Sequence, residues 1–365
     1  MRPRLAFFLH SLSGGGAERV MVTLANHFVR LQYNVQMIVV SEKVAYLSEV
    51  DPAILVHFLK SRRRIQVTPS LARIMRNERF DALLSSPRNF PPILARWITR
   101  SPTRVVIREA TTPTVALAHR KMQRRVQIAV QLGYRLLYPC ADAIVAPSYG
   151  VAHSLLQMAS IPSHKLHVIR NPAITPDLFV KANAPLDHPW FRSDAPPVVL
   201  GAGRLVPLKG FDILLHAFAR VREQMPARLV ILGEGEERPR LLQLASDLGV
   251  AADVELPGFD LNPFRYMKRA SVFVLSSWYE GLPNVLIQAL ACGCPVVSTD
   301  CPSGPSEILD GGRYGALVPV GDAEAMARAI VRALREPPEP VPAEWLQQFE
   351  LDQVAQQYLN LLLPD

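Results

Sequence analysis

The sequence predicts an α/β protein built from two doubly wound parallel-sheet domains in tandem. Three observations predict it. Short apolar runs alternate with helical periodicities, the pattern of parallel strands joined by crossover helices. A proline-rich stretch near the middle interrupts that alternation. The alternation then restarts and continues to a final amphipathic stretch. With 365 residues, 49% of them apolar, the chain is long enough for two full cores.

In the first half the strand-like runs are residues 5–9, 35–40, 54–58, 82–85, 104–107 and 143–146. Residues 5–9 follow Arg2 and Arg4 and imitate a short signal peptide. The run is too short for a signal core and leads into Gly14-Gly15-Gly16, so it reads as a first strand feeding a glycine turn. The helix that follows is the clearest in the chain. Ala17, Val20, Met21, Leu24, Ala25 and Phe28 recur on one helical face.

Pro172, Pro176, Pro185, Pro189, Pro196 and Pro197 punctuate residues 171–197, which show no clear periodicity and read as the interdomain connection. Beyond it, residues 198–200, 229–232, 272–275 and 296–298 read as strands, and 211–221, 240–248 and 285–291 as helices. A last amphipathic stretch, 345–363, follows a proline-rich turn and is expected to cross back onto the first domain. The expected organisation is therefore 1–172, 173–344 and a terminal helix in 345–365. Two such domains are expected to face each other across a cleft, with ligands beyond the carboxyl ends of the strands.

No run approaches the roughly 20 apolar residues of a spanning helix. Of the four cysteines, Cys140, Cys292, Cys294 and Cys301, three lie close together, but no histidine stands at finger-like spacing. Buried, reduced thiols in a cytoplasmic protein fit better than a metal site. The net charge of +8 hides an asymmetry. Residues 1–170 carry 24 Lys and Arg against 8 Asp and Glu; residues 171–365 carry 16 against 24. The basic half is expected to meet something anionic, such as a membrane surface, a phosphorylated lipid or nucleic acid. No recognised nucleic-acid module accompanies the charge, so no nucleic-acid partner is expected. One basic cluster is Lys60, Arg62, Arg63 and Arg64, followed by Arg73, Arg76 and Arg79. Another is Arg120, Lys121, Arg124 and Arg125, on a helix with Val126, Ile128, Ala129, Val130 and Leu132.

Three motifs carry chemistry. Gly15 and Gly16 open the first helix, where a backbone can approach an anion closely; a plain tight turn uses the same residues. Arg204 and Lys209 bracket a turn after the first strand of the second domain, the cationic setting a departing diphosphate needs. Glu280-Gly281-Leu282-Pro283-Asn284-Val285 follows the strand 272–275. Pro283 is expected as an early helix residue, with amides near Leu282 and Asn284 able to hold a phosphate. Glu280 can accept hydrogen bonds from sugar hydroxyls, or simply favour a helix N-terminus. His10, His119 and His153 gain no role from sequence alone.

The string from Ser277 to Asp300, SWYEGLPNVLIQALACGCPVVSTD, resembles the donor-site signature of retaining glycosyltransferase family 4. GGAERV at 15–20, GRLVPLKG at 203–210 and CPSGPSEIL at 301–309 resemble further motifs of that family, in family order over nearly the whole chain. The resemblance implies the GT-B fold and a metal-independent transfer, without cofactor, that retains anomeric configuration. It implies a nucleotide-sugar donor, UDP being the family's commonest carrier, and a glycan or lipid-linked acceptor; with the basic first half, a peripheral place at the inner face of the membrane is expected. Carried over, Arg204 and Lys209 would stabilise the diphosphate, and Glu280 would contact the sugar. Gly15, Gly16, Gly281, Leu282, Asn284 and Val285 would line the donor. Where the family has a second glutamate, this chain has Gln288. Eight residues after Glu280, just over two helical turns, it is expected near the same face and able to meet the ribose. Many relatives carry a histidine in the first domain where this chain reads Arg108-Glu109. Glu109 could act on the acceptor hydroxyl, or form a salt bridge with Arg108 or a neighbouring arginine. A nucleotide-sugar epimerase and a degenerate, non-catalytic nucleotide-sugar-binding protein are the alternatives.

Overall fold

A computed structural model describes residues 2–13, 15–41, 46–59, 66–87, 89–119 and 123–364. Gly14, the cluster at Lys60 and Arg62–Arg64, and Arg120 and Lys121 lie outside the described residues. Contacts divide the chain into two compact units, Met1–Pro172 with Leu351–Asp365, and Ala173–Glu350.

The first unit opens with β1 (Arg4–Leu9), α1 (Gly16–Arg30), β2 (Asn34–Val39), β3 (Leu55–Phe58), α2 (Val67–Glu78) and β4 (Ala82–Ser85). It continues with α3 (Phe90–Thr99), β5 (Arg104–Arg108), α4 (Pro113–His119), α5 (Arg124–Leu137), β6 (Ala143–Ala146), α6 (Tyr149–Met158) and β7 (Leu166–Val168). Its sheet is parallel, in the order β3-β2-β1-β4-β5-β6-β7. Both faces are covered, which explains why β1 is apolar at every position after Arg4. Leu5, Phe7 and Leu9 enter the core on one face, and Ala6 and Phe8 enter the core on the other. Phe7 pairs in register with Met37 on β2 and Leu84 on β4. Burying each phenylalanine contributes about 1.5–3 kcal/mol.

The second unit runs α7 (Pro176–Ala182), β8 (Val198–Ala202), α8 (Phe211–Arg222), β9 (Arg228–Leu232), α9 (Arg238–Asp247), β10 (Val254–Gly258) and α10 (Phe264–Met267). Then come β11 (Val272–Leu275), α11 (Asn284–Ala291), β12 (Val296–Thr299), α12 (Pro305–Ile308), β13 (Ala316–Val318), α13 (Ala323–Arg335) and α14 (Ala343–Leu346). The sheet is again parallel, β10-β9-β8-β11-β12-β13. Its strands alternate in the same way. Phe273 and Leu275 of β11 face one core, and Val272 and Val274 the other. Both units are therefore α/β and Rossmann-like. Strand order reverses between β1 and β4 in one and between β8 and β11 in the other.

The structure corrects several expectations. The connection at 171–197 contains a helix, α7, with Pro176 in its first turn and Leu178 buried. Proline there fixes a helical φ and loses no needed hydrogen bond. The stretch 345–363 is not one helix. Glu350 is extended (φ −73°, ψ 142°) and separates α14 from α15 (Leu351–Leu362). Trp345 is held in the second unit by a 2.9 Å bond to the Ile308 carbonyl. Leu351, Val354, Ala355, Tyr358 and Leu359 join the core of the first unit. Strands β7, β10 and β13 and helix α13 were not expected. Among the described residues no helix is long and apolar enough to cross a membrane.

Candidate functional site

In a doubly wound sheet, ligands settle beyond the carboxyl ends of the strands where strand order reverses. In the second unit that place lies after β8 and β11, and the motif residues gather there. Lys209 follows β8 and Glu280 follows β11. Their side chains form an ion pair, Nζ to Oε1 at 2.6 Å. Both are mostly shielded, with 17% and 12% of the side chain exposed, so water screens the pair less than a surface one. Arg204, in contrast, is exposed and has no ion pair or side-chain hydrogen bond with the described residues.

The two loops are stitched together by residues that the sequence reading did not single out. The Ser276 hydroxyl donates to the Lys209 carbonyl at 2.8 Å, and the Trp278 amide to the Leu208 carbonyl at 2.9 Å. Ser277, fully buried, donates its hydroxyl to Glu280 Oε1 at 2.7 Å. Gly210 makes the approach possible. It is left-handed at φ 60°, and a Cβ there would lie 2.2 Å from the Ser276 carbonyl oxygen. On the other side, Gly304 has φ 96°, and a Cβ would sit 2.7 Å from Pro283 Cδ. The segment at 301–304 thus backs directly onto Gly281, Leu282 and Pro283. Burial pushes the neighbouring Cys301 thiol up to about 12, aided by the Glu280 charge. Burial likewise raises Cys292 to about 11 and raises Cys294 further. All four cysteines are free. Among the described residues no group of three His, Cys, Asp or Glu side chains is placed to hold a metal.

Two expected geometries change. Pro283 caps α11 from outside (φ −74°, ψ 103°), so the helix starts at Asn284 and Leu282 precedes it, buried. Glu280 therefore stands in the loop, and the two-turn helical spacing between Glu280 and Gln288 does not apply. Val285 is half-buried in the first turn. Gln288 is buried on α11, and its amide reaches the Ala173 carbonyl at 3.4 Å.

In the first unit, Gly15 caps α1 with an extended backbone and no side-chain bond, and Gly16 is the first helical residue. Glu18 accepts from the Ser11 hydroxyl at 3.2 Å. Glu109 lies just past β5 and is buried. Its Oε2 accepts from Tyr138 at 2.6 Å and Tyr134 at 3.0 Å, and its Oε1 from the Ala110 amide at 3.1 Å. Burial raises its carboxyl above the ordinary range, opposed by those three bonds and by the Arg108 charge. The salt bridge with Arg108 is not formed. The Arg108 guanidinium donates instead to Ser86 and Asn171, at 3.1 and 2.5 Å. His10 lies just past β1, and His153 is exposed on α6.

Comparison with known proteins decides the family. Residues 14–175 match glycosyltransferase family 4, and residues 196–336 match glycosyl transferases group 1. An N-acetylgalactosaminyltransferase of Campylobacter jejuni is 33% identical, over 91% of this chain and 90% of its own. The chain belongs to glycosyltransferase family 4. That C. jejuni relative is named for an N-acetylgalactosamine-N,N'-diacetylbacillosaminyl-diphospho-undecaprenol substrate. A lipopolysaccharide core glycosyltransferase of Rhizobium meliloti, LpsE, is 31% identical over 88% of this chain and 86% of its own. Among solved structures, Anabaena HepE with UDP and glucose superposes with a TM-score of 0.77, at 20% identity, covering 99% of each chain. The lipopolysaccharide glycosyltransferase WaaG gives 0.77 at 14% identity, covering 99% of this chain and 100% of its own. The two Rossmann-like units of this family 4 glycosyltransferase are those of the GT-B fold.

Proposed function

We propose that this glycosyltransferase moves a sugar from a UDP-sugar to a hydroxyl of a lipid-linked glycan, with retention of anomeric configuration and without a metal. The observation that carries the reading is the Lys209–Glu280 pair at the point where strand order reverses. A cation and a sugar-binding carboxylate in contact provide for both ends of the bond to be broken.

In this reading Arg204 and Lys209 hold the donor diphosphate. Arg204 is the exposed cation ready for a ligand, and Lys209 is already positioned by Glu280. Glu280 accepts from hydroxyls of the transferred sugar. The backbone at Gly281, Leu282, Asn284 and Val285 lines the phosphates. Gln288 offers its carbonyl oxygen to the ribose, since its amide donates to Ala173. Gly15 and Gly16, at the start of α1, are the first unit's candidates for contact with phosphate or sugar. The C1–O bond to the diphosphate stretches first, and the negative charge that grows on the leaving oxygen is met by the two cations. The acceptor oxygen bonds to C1 from the same face, and its proton passes to a phosphate oxygen. Glu109, whose Oε1 accepts from the Ala110 amide, is the first unit's candidate for orienting an acceptor hydroxyl. Free cysteines support work on the reducing, cytoplasmic side.

The C. jejuni and R. meliloti relatives support a lipid-linked or glycan acceptor, and the UDP complex of HepE supports the carrier. The test is a donor panel of UDP-, GDP- and ADP-sugars with lipid-linked acceptors, with EDTA present and absent, and NMR of the product's anomeric carbon. UDP-sugar turnover insensitive to EDTA, with the donor's configuration kept, is expected. An inverted product, or deuterium entering the donor sugar from heavy water as in an epimerase, contradicts the reading.

A further inference from the structure

Helix α5 has a composition that neither the sheet nor the candidate site explains. Among the first unit's helices of ten or more described residues, it alone has no buried residue. Its inner face is accounted for. Tyr134 and Leu137 pack on the core beside β5 and β6, and the helix approaches α3 so closely that a Cβ on Gly133 would meet Phe90 Cζ at 2.6 Å.

The outer face is different. Ile128, Leu132 and Leu136 recur at every fourth position and are 47%, 48% and 65% exposed. Arg124, Arg125 and Arg135, all exposed, fall on the same stripe, within about 120° of the helix circumference. A helix meant only for water would carry polar residues in place of isoleucine and leucine. The surface continues into an open groove toward α6, lined by Ile128, Leu132, Arg135 and Met158 among others.

Charge selects the occupant. No carboxylate occurs between residues 110 and 141, while that stretch holds five basic residues. A second copy docking through the same face would bring arginines against arginines, which opposes self-association. An anionic bilayer satisfies both parts of the stripe. Its phosphates meet the guanidinium groups, and its acyl region takes the aliphatic side chains.

We propose that the outer face of α5, formed by Arg124, Arg125, Ile128, Leu132, Arg135 and Leu136, docks on an anionic lipid bilayer. The proposal deepens the lipid-acceptor reading, since it states where this chain meets the membrane that carries the acceptor. It can be tested without donor or acceptor.

The experiment is co-sedimentation with phosphatidylcholine vesicles, with and without phosphatidylglycerol. Three variants accompany the parent: I128S/L132S/L136S, R124Q/R125Q/R135Q, and a control, R313Q/R328Q/R332Q, that removes equal charge from the second unit. The parent is expected to sediment with phosphatidylglycerol vesicles and not with phosphatidylcholine alone. Both α5 variants should partition about tenfold less or weaker still, with the control unchanged. Equal unfolding temperatures establish that the α5 variants are folded. Three results overturn the proposal: a parent that does not sediment, α5 variants that sediment like the parent, or a control that falls as far as they do. A parent dimer in sedimentation velocity that I128S/L132S/L136S disperses, without vesicle binding, assigns the face to a second copy and overturns it as well. Transfer to a detergent-dispersed acceptor separates the two readings. It should be unchanged in the α5 variants, and its absence in a parent that binds vesicles counts against the proposed function instead.

Discussion

Lys209 Nζ meets Glu280 Oε1 at 2.6 Å, joining the loops after two neighbouring strands, β8 and β11, at the reversal of strand order. Each residue positions the other before any donor arrives. Removing one therefore has two consequences, on chemistry and on its partner.

Lys209→Ala should lower turnover about 100-fold or more, the scale of losing one stabiliser of transition-state charge. It should also lower stability by about 1–3 kcal/mol, because Glu280 loses its 2.6 Å cationic partner in a shielded site. Steady-state kinetics and denaturant unfolding check both parts. Lys209→Ala with Glu280→Gln should recover part of the stability and none of the turnover.

Arg204→Ala should separate the two effects. The Arg204 side chain is exposed and makes no ion pair or hydrogen bond with the described residues, so its loss should change stability by no more than about 0.5 kcal/mol. Turnover should still fall about 100-fold. Normal turnover in this variant would remove Arg204 from the donor site.

Gln288 faces two demands. The sequence alone suggests that a glutamate, the family's usual residue, would preserve or tighten nucleotide binding. The structure adds the Ala173 carbonyl, which accepts from the Gln288 amide. A carboxylate cannot make that bond and would face a carbonyl oxygen. Gln288→Glu should therefore cost about 1–3 kcal/mol of stability whatever it does for the ribose. Calorimetry with UDP and unfolding curves, measured on Gln288→Glu and Gln288→Leu together, separate the two demands.

Glu109 makes a pH prediction. Its folded carboxyl is raised, chiefly by burial. For an acid so raised, the stabilising contribution is full below the unfolded value and is lost as pH rises through the folded one. Parent stability should therefore carry a component that declines from the ordinary carboxyl range upward, and Glu109→Gln should abolish that component. Tyr138→Phe should cost about 1–3 kcal/mol, since it removes the shorter tyrosine bond to Glu109 and a partner of Asn89. Unfolding followed from acid to neutral pH in all three proteins is the check.

The fold was legible where side-chain period and burial agree. Val20, Met21, Leu24 and Phe28 mark α1 because the sheet covers one face of that helix. Three strands escaped notice for physical reasons. β7 and β13 are three residues long, and β10 carries Pro257 and ends at Gly258. Helix α7 is masked in the sequence by Pro176, which breaks a helix elsewhere but fits its first turn. Helix α13 does carry a local signal, the Asp322 cap and the spacing of Met326, Ala327, Ile330 and Val331, all buried. Within the site, cations and carboxylates were visible as residue types. The residues that hold them were not. Ser276 and Ser277 act through single bonds across loops, and Tyr134 and Tyr138 reach Glu109 from 25 and 29 residues away. Such partners follow from tertiary packing and leave no local pattern.

The most direct test of the donor site is calorimetric titration of UDP into the parent and into R204A/K209A. The account predicts saturable binding by the parent, and affinity lower by about 100-fold or more in the variant, because two charge-assisted contacts to phosphate are lost. Equal affinity in the two proteins, with the fold of the variant intact by circular dichroism, would contradict it.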